Sequence, residues 1–437
     1  MELIEKDSSV LNKLPSELKQ QVFYILLIRG ETLIKENKSI EKAVEYFVKA
    51  VALVSSPAEV LMSYEQTLPA EIFKKIISAL QAQNLEKTKA YFDTLKPETG
   101  MIKFVELDGP KVLSPTGNSN TKQWTAVAET SIAEGSVLMS EEPDIAICTI
   151  EGCCDYCFKA LNDDSEKDKV YLSDLAYCSK YCQSKSESTY GKYISGLEGT
   201  AAYAYQQLVK VVNETKSYAP LLLLRYIATL LEDELTRQKQ GEIVETLESV
   251  ESAKDDVKDV HLFAHYDYLR PAYRVPRDSD KAEAVLIRTI LEPSHSDISQ
   301  FLSDEIYVAM KSTVMFNAIG LPKYVGDEEF SEESKISTSQ DNDKAFSIKA
   351  NEPIRLSGST TNSKFFGLYH SLAHISHSCT ANCELIPDAS IPRRLKLVST
   401  RPIKEGEKIS ISYAGSGGPD CKKEIIERDF YISCECA

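Results

Sequence analysis

Two pairs of closely spaced cysteines constrain the fold of this chain more than any other feature. Cys154 and Cys157 are separated by two residues, and Cys178 and Cys182 by three. A short pair held by a turn places two sulfurs on one metal ion, and a second pair roughly twenty residues later completes four ligands. The spacing therefore predicts a tetrahedral structural zinc site, with four unrelated buried cysteines as the alternative. Cys153 leaves the register open, because it can take the place of Cys154.

The composition limits the classes of partner and compartment. Eleven cysteines without a signal peptide are typical of reduced thiols and metal ligands, which predicts a reducing compartment, the cytoplasm or the nucleus. The formal net charge of −16 argues against a surface that binds nucleic acid and favours basic partners. No apolar run approaches the roughly 20 residues that span a bilayer, so no transmembrane segment is expected. A length of 437 residues predicts more than one domain.

The N-terminal segment has a helical pattern. Between residues 14 and 80, apolar side chains recur at steps of three and four, which predicts paired helices. The small residues Gly30, Ala43 and Ala50 accompany the large Phe47. This combination is typical of tetratricopeptide (TPR) repeats, in which small side chains let two helices approach and a large one fills the gap. We expect an all-α, TPR-like domain over residues 1–100.

Two short sequence motifs in this segment are similar to those of a known family. The motifs are Ala43-Val-Glu-Tyr-Phe47 and Tyr64-Glu-Gln-Thr-Leu-Pro69. They resemble the cytosolic domain of the fungal mitochondrial outer-membrane import receptor that recognises presequences. In that family an apolar groove holds an amphipathic targeting helix. The resemblance therefore implies amphipathic presequence helices or translocase subunits as partners, and association with the mitochondrial outer membrane. A helical module that docks another protein is the alternative.

Three motifs in the remainder of the chain are informative. They are the segment Trp124–Leu138, a His-Ser-Cys turn in Gly367–Cys383, and a predicted strand that ends at Tyr413. Their combination gives a resemblance to a SET domain, the fold of protein-lysine methyltransferases. It implies a mostly-β SET domain over residues 101–437, so the whole chain is expected to be a multidomain α+β protein. The implied insertions and tail are a reduced MYND-like zinc insertion at 150–190, a helical insertion at 195–320 and a post-SET-like tail at 425–437.

The resemblance also implies an activity and its residues. SET enzymes transfer a methyl group from S-adenosylmethionine to a lysine of a protein substrate. The residue that matches the catalytic tyrosine, which orients the lysine amine, is Tyr413. The positions that match the cofactor pocket are Trp124, Ser376, His377 and Tyr413.

Two departures from the family pattern concern the cofactor. The family has a Gly-x-Gly turn that lets the backbone approach S-adenosylmethionine, whereas this chain has Gln123, Trp124 and Thr125 there. Ser376 replaces an asparagine, which removes an amide that donates and accepts hydrogen bonds. A SET fold retained as a scaffold without activity is therefore the alternative to an active methyltransferase.

A second zinc site is implied at the C-terminus. In the family, a Cys-x-Cys tail and the cysteine of the His-Ser-Cys turn share one zinc ion; the matching residues are Cys379, Cys434 and Cys436. Either Cys383 or Cys421 completes the four ligands, or the tail packs without metal. The polar, acidic stretch Val325 to Asp343 lacks an apolar period and is expected to be a mobile loop.

Overall fold

A computed structural model describes most of the chain, which divides into two compact units, Met1–Tyr91 and Phe92–Ala437. The described residues are 16–36, 38–54, 57–109, 112–114, 117–119, 122–148, 152–161, 170–172, 175–215, 217–246, 266–270, 276–321, 354–355, 365–388, 391 and 393–413. The acidic loop expected at Val325 to Asp343, Cys421, and the tail with Cys434 and Cys436 lie outside these residues.

The first unit is helical, as predicted. Its helices are α1 (Ser16–Lys35), α2 (Ile40–Val51), α3 (Pro57–Thr67) and α4 (Ala70–Thr94), the last of which continues beyond residue 91. The hydroxyl of Ser39 begins α2 by accepting a hydrogen bond from the backbone N–H of Lys42 at 3.2 Å. Pro69 separates α3 from α4, and its carbonyl accepts the N–H of Ile72 at 2.9 Å.

Helices α1 and α2 pack against each other with small and large residues in complementary places. Phe47 is buried and its ring lies 5.1 Å from the ring of Tyr64 in an edge-to-face arrangement. A Cβ at Gly30 would lie only 2.8 Å from a ring carbon of Phe47, so the glycine allows the close approach of the two helices. The TPR-like packing expected from the sequence therefore has a direct steric basis.

The second unit combines short strands with longer helices. The described strands are β1 (Ile102–Asp108), β2 (Val112–Ser114), β3 (Gly117–Ser119), β4 (Lys122–Ala128), β5 (Val137–Glu141), β6 (Ile145–Cys148), β7 (Val170–Leu172), β8 (Leu175–Tyr177), β9 (Ile319–Leu321), β10 (Ile354–Arg355), β11 (Phe365–Leu368), β12 (Ser376–His377), β13 (Cys383–Pro387), β14 (Leu395–Ser399) and β15 (Ser410–Ile411). The described helices are α5 (Lys180–Glu187), α6 (Gly191–Ile194), α7 (Gly199–Thr215), α8 (Ala219–Thr246), α9 (Asp278–Leu291), α10 (Ile298–Phe301) and α11 (Asp304–Asn317).

The strands form several small sheets. Strands β1 and β4 pair antiparallel, β5 joins β13 through β14, and β6 and β11 extend a sheet with β9 and β10. Strand β12 pairs with β15 in parallel, with Ser376 opposite Ser410 and His377 opposite Ile411. This pairing brings two segments that are more than thirty residues apart in sequence side by side.

The helices of the insertion share one core with the sheet of β6 and β11. Leu222 and Leu223 on α8, Ile287 on α9 and Phe366 on β11 are all buried in it. Mixed helix and sheet architecture with an N-terminal helical region is thus confirmed. Among the described helices, none is both long and apolar enough to cross a bilayer.

Candidate functional site

Four cysteine side chains converge in the second unit. The Sγ atoms of Cys154, Cys157, Cys178 and Cys182 all lie within 4.8 Å of one another. The Cys178 Sγ is 3.5 Å from the Sγ atoms of both Cys157 and Cys182. A tetrahedral zinc ion with Zn–S bonds of about 2.3 Å holds its sulfurs about 3.8 Å apart, so these spacings suit one ion. The cluster can hold a metal ion, and its all-thiolate chemistry is consistent with zinc.

A tight turn positions the first pair of cysteines. The backbone N–H of Cys154 donates to the carbonyl of Lys159 at 2.8 Å, and the N–H of Phe158 donates to the carbonyl of Cys154 at 2.9 Å. Phe158 has a φ of 67°, a left-handed conformation that reverses the chain directly after Cys157. The turn directs Cys154 into the cluster, whereas Cys153 pairs with Ala160 in a β-bridge and lies outside it.

A helix N-terminus positions the second pair. Ser179 begins α5, and its hydroxyl accepts the backbone N–H of Cys182 at 3.3 Å. Cys182 therefore lies in the first turn of α5, where the helix dipole favours a thiolate. Hydrogen bonds from the thiols of Cys157 and Cys182 lower the pKa of Cys154, and the same contacts with Cys154 raise the pKa of Cys157 and Cys182. Without a metal ion the cluster therefore shares protons among its sulfurs, and a bound metal ion would replace these protons.

Two arginines outside the predicted cysteine motif hold the cysteine turn in place. Arg225 on α8 forms an ion pair with Asp155, and its guanidinium lies 4.4 Å from the ring centre of Tyr190. Arg393 lies 4.1 Å from the ring centre of Tyr156 and donates to its hydroxyl at 3.1 Å. The sequence did contain a signal for Arg225, since a single charge inside an otherwise apolar helical run requires a buried partner.

The residues that match the SET tyrosine and histidine lie together. The backbone N–H of Tyr413 donates to Nδ1 of His377 at 3.1 Å, and the two ring centres are 5.2 Å apart. The parallel pairing of β12 with β15 produces this contact. Tyr413 is buried, and its hydroxyl donates to the carbonyl of Ile375.

The polar groups that match the cofactor pocket are bonded to one another. Thr125 and Ser376 are both buried, and their hydroxyl oxygens are 2.5 Å apart. The Thr125 hydroxyl also lies 3.1 Å from the carbonyl of His374, to which it donates, so Ser376 donates to Thr125. The side-chain amide of Gln123 donates to the hydroxyl of Ser376 at 3.5 Å. The indole of Trp124 stacks on the ring of Phe92, with the ring centres 4.7 Å apart.

This arrangement does not fit S-adenosylmethionine. Thr125 stands at a position where the SET family has glycine. The Thr125 side chain lies next to Ser376, in space that a glycine would leave open. The serine hydroxyl is already engaged within the protein and is not directed at a ligand.

The expected C-terminal zinc site is only partly described. Cys379 lies 3.4 Å from Nε2 of His377, and Cys383 is buried in β13. Burial raises the pKa of Cys383 to about 12, so its thiol stays protonated. Within the described part of the chain, neither cysteine joins a cluster of three or more metal-ligating side chains. The site therefore stays a prediction.

Comparison with known families agrees with the expectation for the first unit. Residues 3–92 match the model of the MAS20 protein import receptor family. The receptor-like resemblance of the N-terminal segment is thus confirmed. This match does not include the SET-like motifs. The methyltransferase interpretation therefore rests on those sequence motifs alone. No curated protein matches the chain.

Proposed function

We propose that this protein is an import-receptor-like binding protein whose first unit holds an amphipathic helix of the presequence type. The match of residues 3–92 to an import receptor family is the observation that carries this proposal. The second unit would then be a SET-like scaffold that is stabilised by one zinc ion. The proposal places the protein at the mitochondrial outer membrane or in the surrounding cytoplasm.

An exposed apolar stripe on α1 supports this function. The side chains of Leu18, Tyr24, Ile25 and Ile28 are exposed, Ile28 to 64 %. Ile25 lies seven residues after Leu18 and three before Ile28, and Tyr24 lies four before Ile28, so the four side chains lie on one side of the helix. The adjacent face, with Val22 and Leu26, is buried in the first unit.

Helix α1 thus has more apolar surface than its own core covers. A contiguous exposed apolar patch commonly marks a binding surface. An amphipathic helix covers such a stripe with its own apolar face, which is the helix-in-groove mode of recognition. A translocase subunit that presents a helix of the same kind would use the same surface.

Charge has a smaller part in this binding than the whole chain suggests. Residues 1–91 carry equal numbers of acidic and basic side chains, so the net charge of −16 belongs to the second unit. The sequence-based argument that the net charge favours basic partners therefore does not apply to the first unit. Apolar contact with α1 has to provide most of the affinity.

Fluorescence anisotropy with a labelled amphipathic presequence peptide tests the proposal. The full chain should bind the peptide saturably, with a dissociation constant on the order of 1–100 μM. A peptide of the same composition with a scrambled order, and hence no apolar face, should not bind. The substitution Ile28→Asp places a charge in the stripe and should weaken binding at least about tenfold.

A matched control variant is Phe301→Asp, which changes a side chain that is 71 % exposed in the second unit. It should bind the peptide as the unaltered chain does. Absence of saturable binding by the unaltered chain, or equal binding by Ile28→Asp, would overturn the proposal.

Methyl transfer from S-adenosylmethionine to a protein lysine is the second candidate function. The adjacency of Tyr413 and His377 favours it, whereas the Thr125–Ser376 contact opposes it. We expect isothermal titration with S-adenosylmethionine to show no binding at concentrations up to about 100 μM. Binding in that range, together with a methylated lysine detected by mass spectrometry in a basic protein substrate, would establish the enzyme.

A further inference from the structure

Asp155 lies between the two cysteines of the first pair and bonds to three other parts of the second unit. Its backbone N–H donates to the carbonyl of Ala176 on β8 at 2.7 Å, two residues before Cys178. Its carboxylate accepts the hydroxyl of Tyr190 at 3.1 Å and pairs with the guanidinium of Arg225 on α8. One residue therefore connects the first cysteine pair to the strand before the second pair and to the helical insertion.

The guanidinium of Arg225 is buried and bonded on several sides. Nη1 donates to the carbonyl of Ala146 on β6 at 2.9 Å and to the hydroxyl of Tyr190 at 3.1 Å. The side chains of Arg225 and Asp155 are only 8 % and 13 % exposed. Loss of one partner from such a pair is costly, because the remaining charge is left away from water. The position of Asp155 therefore depends on α8 and β6 as well as on the cysteine turn.

The metal-binding sulfurs and α8 share one apolar core. Cys154 and Cys182 are both buried in the core that contains Leu222 and Tyr226 of α8. Ligands that are held at their binding geometry beforehand lose less conformational entropy when the metal binds. The packing of α8 is therefore expected to affect how strongly the four sulfurs bind a metal ion.

We propose that Asp155 and Arg225 are positioning residues of the metal centre, so that metal binding and the packing of α8 stabilise each other. Asp155 is not one of the four cluster residues, and both side chains act on the metal through the turn of Cys154 and Cys157. Such coupling is reciprocal: a change that loosens α8 weakens metal binding, and loss of the metal loosens α8. The inference rests on metal binding by the four cysteines and does not depend on helix binding by the first unit.

Competition for Zn²⁺ between the full-length chain and a chromophoric chelator measures the effect on the metal. Arg225→Gln and Asp155→Asn should each weaken Zn²⁺ binding about ten- to a hundredfold, the usual effect of removing groups that orient metal ligands. The double variant should bind Zn²⁺ no more weakly than the weaker single variant, because both substitutions break the same ion pair. Arg225→Lys keeps the charge and should recover part of the affinity.

A matched control separates positioning from a general loss of stability. Arg288 on α9 pairs with Asp304 at 2.9 Å and donates to the carbonyl of Leu302 at 2.8 Å. Arg288→Gln therefore removes an ion pair of the same unit at a distance from the cysteine turn. It should lower the free energy of unfolding and leave the affinity for Zn²⁺ unchanged.

Amide hydrogen exchange tests the reciprocal effect on α8. Removal of Zn²⁺ by a chelator should raise the exchange rate of residues 222–230 in the unaltered chain. The increase should be smaller in Arg225→Gln, in which the link between the turn and α8 is already broken. In Arg288→Gln, removal of Zn²⁺ should raise exchange as much as in the unaltered chain.

Three results would overturn the proposal. They are an unchanged Zn²⁺ affinity in both Arg225→Gln and Asp155→Asn, an equal loss in Arg288→Gln, and no Zn²⁺ binding by the unaltered chain. The last result would leave helix binding by the first unit unaffected. If neither variant folds without metal, folding that needs more Zn²⁺ than the unaltered chain does supports the proposal, and folding at the same Zn²⁺ concentration or at none overturns it.

Discussion

Gly30 is a position in the first unit at which a side chain would collide with a buried ring. A Cβ there would lie 2.8 Å from one ring carbon of Phe47 and 2.9 Å from another. Alanine normally stabilises a helix relative to glycine by about 1 kcal/mol, but overpacking of a core costs about 1–3 kcal/mol. We therefore expect Gly30→Ala to lower the free energy of unfolding, measured by urea denaturation.

The partner residue provides the control for this prediction. The substitution Phe47→Leu makes room for a Cβ, so Gly30→Ala in the Phe47→Leu background should be neutral or stabilising. An equal cost of Gly30→Ala in both backgrounds would mean that the ring of Phe47 is not its cause.

Glu141 links stability to pH within the second unit. Its two carboxylate oxygens accept the N–H groups of Ser371 and Leu372, each at 2.9 Å. Burial raises the pKa of Glu141 from 4.5 to about 6, although these N–H groups and His370 oppose the shift. The folded state therefore binds a proton more tightly than the unfolded state does, and this contribution to stability is present below pH 4.5 and lost as the pH rises through 6.

The measurement compares the unaltered chain with Glu141→Gln at pH 5 and pH 7. The difference in unfolding free energy between the two proteins should be larger at pH 5. Glu141→Gln should also lower the unfolding free energy at both pH values, because the NH₂ group of the glutamine faces a backbone N–H donor. A difference that is the same at both pH values would exclude the raised pKa.

At the scale of elements, a buried ionic group joins α9 to α11. Nζ of Lys311 is 2.9 Å from Asp280 and also contacts Glu283, which accepts the hydroxyl of Tyr307 at 2.7 Å. Removal of the cation would take the Lys311 charge away from two buried carboxylates, which costs about 3–5 kcal/mol. We expect Lys311→Met to unfold at a correspondingly lower urea concentration, while Lys281→Met, at an exposed position on α9, stays within about 0.5 kcal/mol of the unaltered chain. A small effect at Lys311 would show that the carboxylates are protonated or hydrated.

The cysteine turn and α5 should depend on a bound metal ion. Elemental analysis of the purified chain is expected to find one zinc ion for each molecule at the four-cysteine cluster, and Cys157→Ser should remove it. Cys153→Ser, next to Cys154 but outside the cluster, is the matched control and should retain the metal. A strong chelator should lower the stability of the unaltered chain. Zinc retained by Cys157→Ser, or a chain stable without metal, would contradict a structural zinc site.

Local patterns predicted the helices and the cysteine cluster well, because each depends on nearby residues. Apolar periodicity identified the paired helices, and the spacing of Cys178 and Cys182 fits one turn and the start of α5. The sequence left the choice between Cys153 and Cys154 open, since the left-handed backbone at Phe158 determines it. No short-range pattern encodes that conformation for a phenylalanine.

Long-range contacts were the part that sequence reasoning missed. Arg270 donates a hydrogen bond to the hydroxyl of Tyr413, although the two residues are 143 apart in the chain. No sequence spacing predicts this contact. The Thr125–Ser376 contact joins residues 251 apart. The sequence showed each departure from the SET pattern separately. Only the fold shows that the two departures involve side chains that bond to each other.

At the scale of the whole molecule, charge and apolar surface are divided between the two units. The acidic surplus belongs to residues 92–437, where it favours the approach of basic segments, whereas the first unit is electrically balanced. The exposed stripe of Leu18, Tyr24, Ile25 and Ile28 belongs to the first unit. The apolar stripe that the proposal assigns to helix binding and the acidic surplus therefore belong to different units.

Site-specific photocrosslinking tests helix binding by α1 most directly. The photoreactive amino acid p-benzoylphenylalanine replaces Tyr24, which is 54 % exposed in the stripe, or Tyr203, which is 65 % exposed in the second unit, in otherwise unaltered full-length chains. Irradiation with the labelled amphipathic peptide should give a crosslinked product from position 24 and none from position 203, and excess unlabelled peptide should suppress it. Equal crosslinking at both positions, or none at position 24, would contradict the account.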